Sequence, residues 1–263
     1  MTFQETILLS AIAGATIFIG LPVGRLRNLS IRAQVMLTTA AAGVILFLIW
    51  DILTQAVEPV ELALEAASTG AGPIGDFVVT AGILGLSLSF GLLSVVWLNR
   101  RLRPSPGDVG RPVRPHDVAL GTAAGLGLHN LSEGLAIGGS AASGATSLAL
   151  ILVIGFALHN ATEGFGIAAP LASAERPSWR FLGLTGLIGG GPTFVGGVIG
   201  YLFAAPLMSL AFLGLAAGAL IFVFNEMISV ARRSATPMAA NVALLTGLLV
   251  AFATDFILIA AGA

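Results

Sequence analysis

Cysteine and lysine are both absent from the chain. No thiolate site and no disulfide can form, and every side-chain cation is an arginine, twelve in all. Charge of either sign is scarce. Charged residues make up 10% of the 263 positions, where a soluble domain carries about 25%. Hydrophobic residues reach 56%, with a mean hydropathy of +0.98. A soluble fold of this size cannot hide so much apolar surface, whereas a bilayer solvates it. No basic patch with interleaved aromatics is present, which argues against a nucleic-acid partner. Met1 to Glu5 lack the basic segment of a cleaved signal peptide, so the first apolar run is expected to stay as a helix.

What is present is a series of long apolar runs. They divide into eight spans, at about 5–22, 35–55, 77–98, 118–139, 147–170, 181–203, 207–230 and 239–261, each near the ~20 residues that cross a bilayer core. Lipid cannot satisfy open backbone groups, and the runs lack the alternation of barrel strands. The expected fold is therefore all-α: one polytopic transmembrane domain over residues 1–263. The arginines support this division. Arg25, Arg27 and Arg32 lie between spans one and two, and Arg100, Arg101, Arg103, Arg111 and Arg114 between three and four. Arg176 and Arg180 lie between five and six, and Arg232 and Arg233 between seven and eight. Only alternate loops carry them, while the second-to-third loop carries Glu58, Glu61, Glu65 and Asp76. The positive-inside rule then places both termini outside the cytoplasm of a multi-pass cell-membrane protein. Residues 99–117, rich in proline, glycine and arginine, read as a cytoplasmic linker. Its charge suits a solvated loop or contact with anionic headgroups. Glycines inside the spans, among them Gly82, Gly85, Gly121, Gly125, Gly127, Gly214 and Gly218, are expected to let helices approach closely.

One motif occurs twice. Span four contains His129-Asn130-Leu131-Ser132-Glu133-Gly134 and span five contains His159-Asn160-Ala161-Thr162-Glu163-Gly164, 30 residues on. Two of the three histidines in the chain are here. Residues i and i+4 share a helix face, so His129 meets Glu133 and His159 meets Glu163. Each asparagine, at i+3 from its glutamate, is a further neighbour. Two such helices face to face gather imidazoles, carboxylates and amide oxygens around one point, a set that suits Zn²⁺ and its first-row neighbours. Each Asn–Glu pair could build an adjacent oxygen-rich site. A carboxylate at mid-membrane costs about 2.5–3.5 kcal/mol on insertion scales, and a divalent cation supplies the missing countercharge. A single His–Glu pair would be explained by a local hydrogen bond; duplication of four fixed positions is not. Asp51, Glu226 and Asp255 also fall within spans, where relay, ligand and helix-glue roles are all open. His116, at the start of span four, reads as a solvated histidine. Gly189-Gly190-Gly191-Pro192-Thr193 in span six marks either a packing kink or a broken helix lining a substrate path.

These residues resemble the ZIP (Zrt/Irt-like protein) family of divalent-metal transporters, which has eight spans and motifs close to H-N-x-P-E-G and H-x-x-x-E-G on spans four and five. AIAGATIFIGLPVGRL, AAGVILFL and AAGALIFVFNEMI carry further likeness. The resemblance implies metal ligands at His129, Asn130, Glu133, His159, Asn160 and Glu163. It also implies that spans one, four, five and six move against two, three, seven and eight, with transport toward the cytoplasm. Three departures stand out. Ser132 and Thr162 replace the motif proline, and their hydroxyls can bond back to the carbonyl four residues earlier. Thr193 stands where relatives carry a glutamate, which weakens a second metal site. The histidine-rich linker is reduced to His116.

The leading reading is uptake of Zn²⁺, or of Fe²⁺, Mn²⁺ or Cd²⁺, by alternating access, with Asp51, Thr193 and Glu226 as secondary metal or proton positions. The ion is cargo; no resident cofactor is expected. Two imidazoles disfavour Mg²⁺ and Ca²⁺, and the lack of cysteine disfavours Cu(I). A membrane-embedded metalloenzyme is the rival. It would call for H-E-x-x-H, where this chain has H-x-x-x-E. A non-transporting metal sensor or ion pathway is the third reading, and a homodimer is compatible with all three.

Overall fold

The computed structural model describes residues 1–26, 30–102, 115–173, 176–203, 205–234 and 237–261. The greater part of the expected linker, residues 103–114, lies outside the described residues, as does Arg27. Among those described, all regular structure is helical: α1 (Phe3–Ala15), α2 (Ile17–Gly20), α3 (Ile31–Ser68), α4 (Ile74–Leu102), α5 (Pro115–Ala142), α6 (Thr146–Ala168), α7 (Trp179–Phe203), α8 (Pro206–Ser234) and α9 (Pro237–Ala261), with short 3₁₀ turns after α2 and α6.

Helix ends follow local chemistry. Thr2 and Glu5 form a reciprocal capping box on α1. Ser30 and Ser178 accept from Ala33 and Phe181 and so cap α3 and α7. Proline is the first residue of α5, α8 and α9, where its missing N–H costs nothing. Gly70 (φ +73°) and Gly144 (φ +81°) end α3 and α5. The bonds Ala71 N to Ala66 O (2.8 Å) and Ala145 N to Ser140 O (3.0 Å) close the matching left-handed caps.

Seven membrane-length apolar segments are found among the described residues, the first being Phe3–Arg25, with α1, α2 and a 3₁₀ turn in sequence. The eighth long helix, α5, carries the first motif and is the most enclosed of all, with 17 buried residues. One expected boundary is wrong. Glu58, Glu61 and Glu65 are not in a loop: α3 runs on through them to Ser68. At 1.5 Å per residue its 38 residues reach about 57 Å, well beyond the ~30 Å hydrocarbon core. The stretch ELALEAAS is built of strong helix formers, which outweigh the one backbone bond lost at Pro59. Asp76, likewise expected in that loop, sits in the first turn of α4.

The helices pack as two groups. α5 lies along α7, and α1 and α6 flank that pair; α4 lies along α8, and α3 bridges α8 and α9. The two groups meet chiefly where α5 crosses α8. Glycine marks the difference. Within a group, many bare Cα atoms face backbone: Gly134 lies on the Thr193 carbonyl, Gly164 on that of Ile17, Gly218 on that of Leu88 and Gly247 on that of Ala40, whereas Gly186, Gly189, Gly197 and Gly214 meet side chains. Such Cα–H···O approaches recur where membrane helices touch. Across the boundary the nearest neighbours of Gly121, Gly125 and Gly166 are the side chains of Phe222, Val223 and Met227. Gly82 and Gly85 have nothing within reach of an added Cβ, so the close packing expected of them is absent.

Candidate metal site

Both motifs lie inside the bundle, their histidine, asparagine and glutamate side chains between 0% and 7% exposed. His129 Nε2 is 3.2 Å from Glu133 Oε1, the i, i+4 contact expected along α5, and 3.5 Å from Glu163 Oε1 on α6. One imidazole therefore touches the carboxylates of both helices. The asparagines are crossed. Asn130 Nδ2 donates to Glu163 Oε2 (2.9 Å) and to the Gly189 carbonyl (3.0 Å). Asn160 Nδ2 donates to Glu133 Oε2 (3.4 Å) and to the Ala13 carbonyl (3.1 Å). Each asparagine thus serves the glutamate of the other motif, not its own neighbour at i+3. All four partners are acceptors, so the amide nitrogen must point at them and the orientation of both amides is determined.

That commitment leaves Asn130 Oδ1 and Asn160 Oδ1 without partners. Nδ1 of His129 and both ring nitrogens of His159 are also unpaired, while Glu133 Oε1 and Glu163 Oε1 have His129 Nε2 alone. A buried polar atom left unpaired costs about 1–3 kcal/mol, and His129, Asn130, His159 and Asn160 each carry at least one. A cation that accepts oxygen and imidazole nitrogen together would relieve them, which is the donor chemistry of zinc and its neighbours. Among the described residues, no three His, Asp or Glu side chains are already arranged as a cation cage.

The sequence from residue 101 to 255 matches the ZIP zinc transporter family, more than half of the chain. The chain belongs to the ZIP family. It is thereby placed among membrane transporters of divalent metal ions. The match takes in both motifs and α5 to α8 whole. No curated protein sequence matches the chain.

Within this ZIP chain the two motifs are not equivalent. His159 makes no contact like that of His129. Its ring lies nearly parallel to Phe47 of α3, 6.4 Å between centroids, and Phe47 in turn meets Phe252 edge-on at 4.8 Å. The aromatic cluster thus belongs to one helix group and the histidine to the other. Ser132 and Thr162 bond back to the His129 and His159 carbonyls at 2.6 and 2.7 Å, three residues earlier and not the expected four. Each hydroxyl ties the last turn of the motif to its own histidine.

The secondary positions separate. Thr193 is fully buried on α7 with an unpartnered hydroxyl. Asp51 accepts from Gln55 at 3.0 Å and interacts electrostatically with His129. Glu226 lies partly buried on α8, and Asp255 partly buried on α9. His116 packs edge-on against Phe181 at 4.7 Å, so it is not simply solvated. Sequence reasoning did not single out Phe47, Ser10 or Thr122, the latter two buried with unpaired hydroxyls. Thr122 lies seven residues before His129, two turns along the same face, a spacing that could have pointed to it. Ser10 and Phe47 carry no such signal.

Proposed function

We propose that this ZIP chain carries a divalent transition-metal ion, zinc foremost, through the membrane by alternating access. His129, Glu133, His159 and Glu163 are its ligands, and Asn130 and Asn160 hold the carboxylates and add amide oxygen. The observation that carries the reading is the crossed pairing of the two motifs, in which the buried asparagine of each helix holds the glutamate of the other and keeps its own amide oxygen unpaired. The ion is handled without enzymatic chemistry. Asp51 and Thr193 flank the site as secondary metal or proton positions, and Glu226 serves farther along the path.

In this reading α5 is the eighth span, both termini lie outside the cytoplasm of the cell membrane, and residues 99–117 form the cytoplasmic linker of a single domain 1–263. The α1, α5, α6, α7 group moves against the α3, α4, α8, α9 group, toward the cytoplasm for uptake. Backbone contacts at Gly134, Gly164, Gly218 and Gly247 hold helices together within a group, while Phe222, Val223 and Met227 stand opposite glycines at the boundary between groups. The test is Zn²⁺ uptake into proteoliposomes. Glu133→Ala and Glu163→Ala are each expected to abolish it with the fold intact by circular dichroism. Uptake at the wild-type rate in both variants would remove the ligand assignment.

A further inference from the structure

Because α4 leans on α8, it leaves a groove of about 560 Å³ between itself and the α5–α7 pair. Trp97 and Leu98 of α4, Leu128 and Leu131 of α5, and Ile188 and Val195 of α7 line it. Ser94 is the one hydroxyl on the wall, and it already donates to the Gly91 carbonyl at 3.1 Å. Beyond the accepting lone pairs of that one hydroxyl, the side chains of the wall offer a hydrophilic ligand nothing. The groove is open toward the bilayer, with Trp97 59% and Val195 47% exposed. At the α4 end, one turn beyond Trp97, stand the exposed Arg100 and Arg101. The Arg101 guanidinium lies 5.1 Å from the Trp97 ring centroid.

Tryptophan with arginine is the pairing found at headgroup level, where basic residues attract anionic lipid. We propose that the groove binds one anionic phospholipid from the leaflet on the arginine side, with an acyl chain between α4 and α5–α7 and its phosphate at Arg100 and Arg101. A free phosphate would leave the apolar wall unused, and a zwitterionic lipid, whose ammonium offsets its phosphate, would leave the net charge of the arginine pair unbalanced. The position matters for the metal site. Leu128 and Leu131 bracket His129 and Asn130 on α5, and α4 belongs to the other helix group. A chain lodged here is a wedge that sets the spacing between the groups. This regulatory consequence rests on the transport reading above; the binding itself does not.

The test is native mass spectrometry of the full chain, exchanged in mild detergent against equal phosphatidylglycerol and phosphatidylcholine with the same acyl chains. One phosphatidylglycerol is expected to be retained preferentially. Arg100→Gln with Arg101→Gln lowers that preference by about fivefold per arginine, and the double lysine variant restores it. Ser94→Phe, which fills the groove from α4, and Ala124→Phe, which fills it from α5, each lower retention of both lipids with helical circular dichroism unchanged. Equal retention of the two lipids by the wild type, retention untouched by either filling variant, or a lipid-free dimer in the spectrum would overturn the proposal.

Discussion

Gly134 directly follows Glu133, and the packing predicts what an added methyl group does there. A Cβ at residue 134 would press on the Thr193 carbonyl oxygen and lie 2.8 Å from Gly197 N and 2.9 Å from Gly196 Cα. All three are backbone atoms, so no rotamer change gives relief and α5 must move off α7. Overpacking costs about 1–3 kcal/mol, and purely backbone neighbours put this case at the upper end. Alanine returns about 1 kcal/mol of helix propensity. The net cost of Gly134→Ala is therefore about 2 kcal/mol, a fall in Tm of about 4–8 °C for a chain of this size. Gly164→Ala meets Ile17 and Gly20 backbone in the same way and should lose a similar amount. Gly82→Ala meets nothing and should gain up to about 1 kcal/mol. The assay is thermal loss of helical circular dichroism for the three variants in one detergent. A Gly134→Ala variant as stable as Gly82→Ala would refute the view that the motif glycine is there for helix contact.

Asn130→Ala strips Glu163 and the Gly189 carbonyl of a donor and should cost about 1–3 kcal/mol. A double-mutant cycle with Glu163→Ala should return a coupling energy of at least about 0.5 kcal/mol, and strict additivity would contradict the crossed pairing. Thr16 Oγ1 donates to the Ala157 carbonyl at 2.6 Å; Thr16→Val should cost about 0.6 kcal/mol, the average for such bonds in a membrane, readable by the same melts. Zn²⁺ at about a hundred times its Kd should stabilise the wild-type protein by about 2.7 kcal/mol. That gain should vanish in Glu133→Ala/Glu163→Ala and on chelation.

Most of the helices were legible because apolar runs and arginine spacing are strong signals: α7 was expected at 181–203 and is found at Trp179–Phe203. The error at α3 arose because glutamates after an apolar run look like a loop, although Ala, Leu and Glu sustain a helix equally well in water. At the site, helical spacing could place His129 against Glu133 because that contact lies along one helix. It could not foresee Asn130 reaching Glu163, since which faces of α5 and α6 meet depends on tertiary packing. Nor could it anticipate the Gly189 and Ala13 carbonyls, because a backbone acceptor has no residue signature. The repeat also implied equivalence between histidines that Phe47, from a different helix, breaks.

The enclosure of α5 has a consequence for how the protein is made. This helix carries His129, Asn130 and Glu133 and is the one long helix that does not register as an apolar span among the described residues. Its polar atoms find partners on α6, and Gly127, Gly134 and Gly138 rest on α7, both of which leave the ribosome later. A nascent chain that has reached only α5 would hold a segment with little reason to stay in lipid. The contacts that enclose it form only once α6 and α7 have been synthesised, so a change in α7 should lower the yield of inserted protein as well as the stability of the finished fold.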